Sequence, residues 1–161
     1  MIHVRVESLE ALEAFREQTE ALRTVYANKL NATSRGARFA MNNRKQQFKD
    51  IFTKAATVTG EPVEGQVVIA IYRLCLSRCD WDAPIKALQD ACEEYIACKN
   101  DRVIRTAMAF LVRPTKKRTG QVVRNGSIDV NLYDMDTELE DALDMAREAA
   151  ECSIACWQSS Y

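Results

Sequence analysis

The chain has 161 residues, of which 47% are hydrophobic and 28% are charged, and its formal net charge at pH 7 is −1. These values are typical of one globular domain with a hydrophobic core. No run approaches the roughly 18 uncharged apolar residues that a membrane span needs, and the first residues lack the basic and apolar regions of a signal peptide. We therefore expect a single domain, residues 1–161, in the cytoplasm and without a membrane partner.

The six cysteines fit that compartment. Cys75 and Cys79 are four positions apart, as are Cys152 and Cys156, so neither pair has the two-residue gap that is typical of structural zinc ligands. The only histidine, His3, is far from both pairs. We expect reduced thiols that pack as small hydrophobic side chains.

The first part of the chain predicts a strand and a helix. Residues 2–6 alternate as in a short strand, and Ser8 is a suitable N-cap for a helix that runs to about Leu30. Apolar residues recur along this helix at spacings of three and four, which predicts packing on the protein's own core, with a dimer seam as the alternative. This stripe consists of Leu12, Phe15, Leu22 and Tyr26.

A second helix is predicted after a polar break at residues 31–36. It runs from Asn42 to about Val58 and ends before Gly60. Its apolar face consists of Phe48, Ile51, Phe52 and Ala55.

The middle of the chain predicts a strand, a helix and a turn. Residues 67–76 are rich in β-branched and apolar side chains, which is typical of a buried strand. Asp82 is a candidate N-cap for a helix from about residue 84 to 96, and Pro84 suits its first turn. Residues 99–101 are predicted to turn. The apolar stripe of this helix consists of Ile85, Leu88, Cys92, Tyr95 and Ile96.

The last part predicts more strands and a final helix. Residues 103–112 form a second predicted buried strand, and residues 114–120 form a basic loop. Residues 121–123 and 127–132 flank Asn125-Gly126, the strongest two-residue signal for a β-hairpin.

A capping box from Thr137 to Glu140 opens the final helix. Together these elements predict an α+β fold, with a small mixed sheet flanked by helices. The predicted apolar stripe of the final helix consists of Leu139, Leu143, Ala146, Ala150, Ile154 and Trp157.

Two carboxylates follow the first buried strand. If the backbone there is extended, Asp80 and Asp82 point to the same side and together can bind one Mg²⁺. Lys86 lies four residues further on, where a cation opposes the helix dipole, so we expect it to contact a phosphate or a metal-bound water. By themselves these residues also fit an N-cap beside a surface carboxylate.

Residues 80–86, Asp-Trp-Asp-Ala-Pro-Ile-Lys, resemble the signature of the RusA-type Holliday junction resolvases. That family reads Asp-x-Asp-Asn-x-x-Lys and then, after a helix, Asp-Asp; here Asn100-Asp101 follows. The similarity covers about residues 38–135, and the helices at 8–30 and 137–157 are extensions.

The resemblance implies a homodimeric nuclease that uses Mg²⁺ to cut four-way DNA junctions by phosphodiester hydrolysis. Asp80, Asp82 and Asp101 match its catalytic and metal-binding aspartates, and Lys86 matches its catalytic lysine. Two positions depart from the family pattern. The asparagine after the second aspartate is Ala83 here, and the first acid of the later pair is Asn100.

Basic residues concentrate in the middle of the chain, although the net charge is near zero. Two other functions fit the same sequence: a DNA-binding accessory protein without catalysis, and an assembly protein that acts through its amphipathic terminal helices. The residues expected to hold DNA through its phosphates are Arg44, Lys45, Lys49, Lys116, Lys117 and Arg118.

Overall fold

Five strands form one mixed sheet at the centre of the fold, in the order β2-β1-β5-β3-β4. The computed structural model describes residues 1–8, 10–13, 15–17, 35–75, 85–112 and 126–158. Strands β3 and β4 are parallel, and the other neighbouring pairs are antiparallel. The predicted α+β fold is therefore confirmed. The strands are β1 (Ile2–Val6), β2 (Thr57–Gly60), β3 (Val68–Cys75), β4 (Ile104–Leu111) and β5 (Ser127–Asp134).

Helices cover both faces of this sheet. Residues 10–13 and 15–17 are helical, and the Ala11 N–H donates to Ser8 Oγ at 3.5 Å, which agrees with the predicted N-cap. Among the helices of the described residues, none is long and apolar enough to cross a membrane. The longer elements are α1 (Arg35–Ala55), α2 (Ile85–Cys92) and α3 (Leu139–Gln158), with 3-10 turns at Glu93–Tyr95 and Asp101–Val103.

The main core lies between the sheet and the N-terminal helix, α1 and α2. Leu12 and Phe15 are buried in it, so this part of the first predicted stripe packs on the protein's own core, as expected. Leu22 and Tyr26 lie outside the described residues. Phe48 joins α1 to the N-terminal helix, because its ring centroid lies 5.4 Å from that of Phe15. Its centroid is also 5.9 Å from that of Phe52, within α1.

Helix α3 packs on the opposite face, and the side it uses is not the predicted one. Its buried positions are Ala142, Ala146 and Ala149, whose small side chains let the helix lie close to the sheet. Of the predicted stripe, only Ala146 is buried and Ala150 is half-buried, and the side chain of Trp157 is not described. The three larger residues of that stripe are exposed: Leu139, Leu143 and Ile154.

The region around β2 differs from the prediction at two points. Helix α1 begins at Arg35, inside the predicted polar break, and ends at Ala55. Thr57–Gly60 is a strand instead of the end of that helix, because its β-branched residues pair with β1. Gly60 has a φ of +93°, and a Cβ there would lie 2.4 Å from the Met1 carbonyl oxygen, so this bend requires glycine.

Three further elements depart from the sequence expectation. Helix α2 is shorter than predicted, and the chain continues as a 3-10 turn. Strand β4 was expected to be buried, but it lies at the sheet edge, so residues 105–107 are exposed and 108–111 are half-buried. Strand β5 pairs with β1 and β3, so it has no free edge for the predicted hairpin partner at 121–123, which lies outside the described residues.

Candidate functional site

The parallel pair β3 and β4 gives the sheet two ends with different attachments. At the first, named here the Cys75 end, β3 stops at Cys75, β4 stops at Leu111 and β5 begins at Ser127. Cys75 pairs with Ser127, so these termini lie side by side. At the second, named the Asp101 end, β3 and β4 begin, and the turn Asp101–Val103 leads directly into β4.

Both charged segments predicted from the sequence attach at the Cys75 end. The segment that carries Asp80 and Asp82 follows Cys75. The segment that carries the basic residues 116–118 follows Val112, whose N–H donates to the Leu74 carbonyl at 2.9 Å. The predicted aspartates and basic residues of these segments lie outside the described residues. Their points of attachment, however, are adjacent strands, which lie about 4.8 Å apart.

A buried carboxylate organises the sheet surface at the Cys75 end. Asp129 is 7% exposed and accepts a hydrogen bond from Ser127 Oγ at 3.0 Å. Its Oδ1 lies 3.2 Å from His3 Nε2 and 3.6 Å from Arg5 Nη1. We name His3, Arg5, Ser127 and Asp129 the Asp129 cluster; Arg73 pairs with Asp129 in the ladder and so shares this face.

The Asp129 cluster is a charge-balanced network that joins β1 to β5. The hydrogen bond from Arg5 to Glu7, together with the nearby Asp129 charge, raises the pKa of the Arg5 guanidinium. This cluster was not among the sites predicted from the sequence. The sequence does show polar residues at alternate positions in both β1 and β5. It does not show that these two strands, which are far apart in the chain, pair with each other.

The turn that carries Asp101 is defined by its backbone. Lys99 has a φ of +48°, and Asn100 Oδ1 accepts a hydrogen bond from the Arg102 N–H at 3.1 Å. The Val103 N–H also donates to the Asn100 carbonyl, at 3.3 Å. Asn100 therefore uses its amide oxygen to hold the turn, while the Asp101 side chain is not described.

The three predicted aspartates attach to opposite ends of the sheet. Asp80 and Asp82 belong to the segment that follows the Cys75 end, whereas Asp101 begins the turn at the Asp101 end. The N–H of Val63, which lies just before β3 in sequence, donates to the Tyr95 carbonyl at 3.1 Å. Because Val63 is near the start of β3, the chain has already reached the Asp101 end of the sheet when it leaves α2 and its 3-10 turn. Seven residue steps along β3 separate that end from Cys75 by roughly 23 Å. The nine residues 76–84 span at most about 30 Å when extended, so their length permits a return. Lys86 is the second residue of α2, and its side chain is not described.

Lys49, one of the residues predicted to bind DNA, forms ion pairs within the fold. Its Nζ lies 3.3 Å from Glu93 and 3.2 Å from Glu94, so it ties α1 to the 3-10 turn after α2. The hydrogen bond from Lys49 lowers the pKa of Glu94. Arg44 and Lys45 lie on α1, and their side chains are not described.

The described cysteines are all free thiols, and they differ in burial. Cys92 lies in the main core, where burial raises the pKa of its thiol to about 12, as expected for a cysteine that packs as a hydrophobe. Cys98 is exposed, which the prediction did not anticipate.

Neither metal geometry nor a known relative identifies the site. In the part of the chain that the structure describes, no group of three His, Cys, Asp or Glu side chains is arranged to hold a metal ion. The side chains of Asp80, Asp82 and Asp101 are not among those described. No protein-family model, curated protein or solved structure matches this chain.

Proposed function

We propose that this chain is a Mg²⁺-dependent endodeoxyribonuclease that cuts four-way junctions or other branched DNA. The observation that carries the proposal is the composition of the Cys75 end. There, an acidic segment and a basic segment leave the sheet from neighbouring strands. Phosphodiester cleavage needs carboxylates for a metal ion and cations for the DNA backbone in the same region.

The chemical types of the predicted site residues fit Mg²⁺. Asp80, Asp82 and Asp101 supply carboxylate oxygens, which are the ligands that Mg²⁺ prefers. When bound, the ion would stabilise negative charge on the phosphate oxygens. Lys86 lies in the first turn of α2 and adds a positive charge that acts on the same oxygens in the transition state.

The DNA would be held by residues outside the catalytic set. Lys116, Lys117 and Arg118 contact phosphates from the basic segment, and Arg44 and Lys45 contribute from α1. A net charge of −1 does not oppose this, because phosphate contacts depend on local charge. A homodimer would present two equivalent sites, which suits paired cuts in a four-way junction.

One observation favours a second function, that of a DNA-binding accessory protein without catalysis. The Asn100 amide oxygen is engaged by the Arg102 N–H and carries no charge, so it is a poorer metal ligand than the acid found in the similar family. Ala83 also lacks the polar group of that family. Both changes reduce the set of oxygen ligands near the proposed metal.

Cleavage of a labelled four-way junction, with a duplex of the same arm sequence beside it, separates these functions. The wild type should cut the junction with Mg²⁺ and leave it intact with EDTA. Asp82→Asn should bind the junction as well as the wild type, or more tightly because less negative charge faces the phosphates, and should not cut it. Glu13→Gln removes one charge from an exposed position of the N-terminal helix and should cut like the wild type.

The remaining outcomes decide against the nuclease. If the wild type binds the junction but does not cut it under metal-replete conditions, the accessory function is supported. If it neither binds nor cuts at low salt, where phosphate contacts are strongest, both DNA functions are rejected and assembly through the terminal helices is favoured.

A further inference from the structure

The sequence has two cysteine pairs of equal spacing, and the fold brings members of both pairs to the Cys75 end of the sheet. Cys75 is the last residue of β3, and Cys152 and Cys156 lie near the end of α3. All three are half-buried thiols, so they are neither enclosed in the core, like Cys92, nor fully exposed. Cys79, the fourth member, lies outside the described residues. Thiols that are partly accessible can be reached by oxidants in solution, unlike those of core cysteines.

The direction of α3 brings its last turns to the Cys75 end. β5 runs from Ser127 at that end to Asp134 at the opposite end, and α3 begins shortly afterwards, at Leu139. Ser153 Oγ donates to the Leu111 carbonyl at 2.9 Å, so the helix has by then returned to the point where β4 stops. Helix α3 therefore runs in the same direction as β3, and both end at the Cys75 end.

The rotation of α3 about its axis places Cys156 over β3, which lies between β5 and β4 in the sheet. Ser153 contacts β4. Glu148 lies on the side nearer β5, because burial raises the pKa of Tyr133 on that strand and the charges of Asp141 and Glu148 are among those that raise it further. At 3.6 residues per turn, Cys156 comes between these two sides, about 60° from Ser153 and about 80° from Glu148.

Cys75 and Cys156 lie on surfaces of β3 and α3 that face each other. Ile71 of β3 packs with Ala142 in the cluster beneath α3. Cys75 is four residues after Ile71 on the same strand, so its side chain points to the same face. Cys156 follows the buried Ala142 and Ala149 at intervals of seven residues and continues their row. Because alanines form that row, the helix can lie close to the sheet, as a bond between the two thiols requires.

The two thiols also lie at the same level along the sheet. Leu111, whose carbonyl accepts from Ser153, pairs with Leu74. Cys75 lies one residue beyond Leu74, which is about 3.3 Å. Cys156 lies three residues beyond Ser153 in the same direction, which is about 4.5 Å. Burial raises the pKa of the Cys75 thiol and the nearby Cys156 raises it further, which agrees with this placement.

We propose that Cys75 and Cys156 are a redox-active pair that forms a reversible disulfide between β3 and α3, with hydrogen peroxide as the oxidant. The thiolate of one cysteine attacks the peroxide, so an S–O bond forms, the O–O bond breaks and hydroxide leaves. The thiol of the other attacks the resulting sulfenic acid, so the S–S bond forms and water leaves. The two thiols are oxidised by two electrons in total, and the peroxide is reduced to two water molecules. A dithiol reductant restores both thiols by exchange.

The surroundings of the pair suit a bond that forms and breaks. Burial raises the pKa of the Cys75 thiol, whereas the positive charge of Arg73, on the same face two residues earlier, lowers it and so favours the thiolate. The disulfide would join residues about 80 positions apart, which strongly restricts the unfolded chain. It would hold the last turn of α3 against the end of β3 whether or not the chain cuts DNA.

Peptide mapping of the full chain after treatment with dilute hydrogen peroxide tests the pair directly. The oxidised wild type should lose two hydrogen atoms and yield a peptide in which Cys75 is joined to Cys156, and dithiothreitol should reverse both changes. Trypsin cleaves after Arg78 and so separates Cys75 from Cys79. Cys152 and Cys156 share one tryptic peptide, so its fragmentation must assign the linked residue.

Cys156→Ser should abolish the link, and Cys152→Ser is the matched control, because it removes a half-buried thiol one turn earlier on the same helix. The control should form the link at the wild-type rate. Three outcomes would each overturn the proposal: no intramolecular link, a link that joins any other two cysteines, or equal loss of the link in the control.

Thermal unfolding gives a second readout on the same samples. The oxidised wild type should have a Tm roughly 5 °C or more above that of the reduced protein, because the bond restricts the unfolded chain and fits the folded one. Peroxide should give no such increase in Cys156→Ser. A linked protein whose Tm is unchanged or lower would overturn the proposal, since the bond would then distort the fold. Neither measurement uses DNA, so its outcome is independent of the nuclease assay.

Discussion

The two ends of the central sheet are built in different ways. The Asp101 end is closed by short turns with backbone hydrogen bonds: Val63 lies between Tyr95 and Ala97, and Asn100 accepts from Arg102. At the Cys75 end, by contrast, β3 and β4 end and β5 begins. The long segments attached there contain Asp80, Asp82 and the basic residues 116–118. The backbone of Asp101 is therefore held by a hydrogen-bonded turn, and the segments that carry its proposed partners join the sheet at the opposite end.

The Asp129 cluster adds to this contrast, because it stabilises the Cys75 end through side-chain contacts between strands. Asp129 binds Ser127 on its own strand and His3 on β1, and so joins two strands just where β5 begins. A catalytic site that uses Asp80, Asp82 and Asp101 must therefore combine residues from the Asp101 end and the Cys75 end of the sheet. Either the segment after Cys75 returns along its own sheet, or a second copy supplies the other end.

The largest effect on the proposed chemistry is expected from Lys86. Replacing it with alanine should lower the single-turnover cutting rate by about 100-fold, because a charge placed on the phosphate acts mainly in the transition state. The junction Kd should change little. Lys54→Ala, in the last turn of α1, is the control and should change neither quantity. Equal losses in rate and affinity would make Lys86 an ordinary phosphate anchor.

The basic segment at the Cys75 end should affect binding more than rate. Neutralising Lys116, Lys117 and Arg118 together should reduce the slope of log affinity against log salt by about 2.7, because each phosphate contact with duplex DNA contributes about 0.9. Titration of a labelled junction at several salt concentrations measures this slope. An unchanged slope would show that the segment does not touch DNA.

At the Asp101 end, the loss of one hydrogen bond should have a small effect on stability. Asn100→Ala removes the acceptor for the Arg102 N–H and should lower the free energy of unfolding by about 1 kcal/mol. Asn100→Asp keeps an acceptor there and should retain most of the stability. Urea unfolding at one fixed protein concentration compares the three proteins. If the alanine variant were as stable as the wild type, the turn would not depend on this bond.

Much of the fold was predictable, because most of its signals are local. The alternation of residues 2–6 and the apolar run at 67–76 each encode a strand without reference to the rest of the chain. Strand β2 was missed because its exposed residues carry no burial pattern and form a strand only by pairing with β1. The buried face of α3 was missed because alanines form it, while larger apolar residues point outward.

The candidate site was predictable in its residues but not in its geometry. The resemblance at residues 80–86 suggested the acidic and basic groups, yet it contained nothing about which sheet end each one joins. The Asp129 cluster unites His3 and Asp129 across 126 positions, which only the topology can do. The same holds for Lys49, whose ion pair with Glu93 spans 44 positions.

The central claim is that the two ends of the sheet meet across a dimer to form a DNA-cutting site, and mixed subunits test it most directly. Asp82→Asn and Asp101→Asn should each abolish cutting alone. In a purified heterodimer of the two variants, a shared site leaves one complete set of aspartates, so nicking of a four-way junction should return. If each site is contained in one chain, no combination is complete, and the absence of cutting in verified heterodimers would contradict the account.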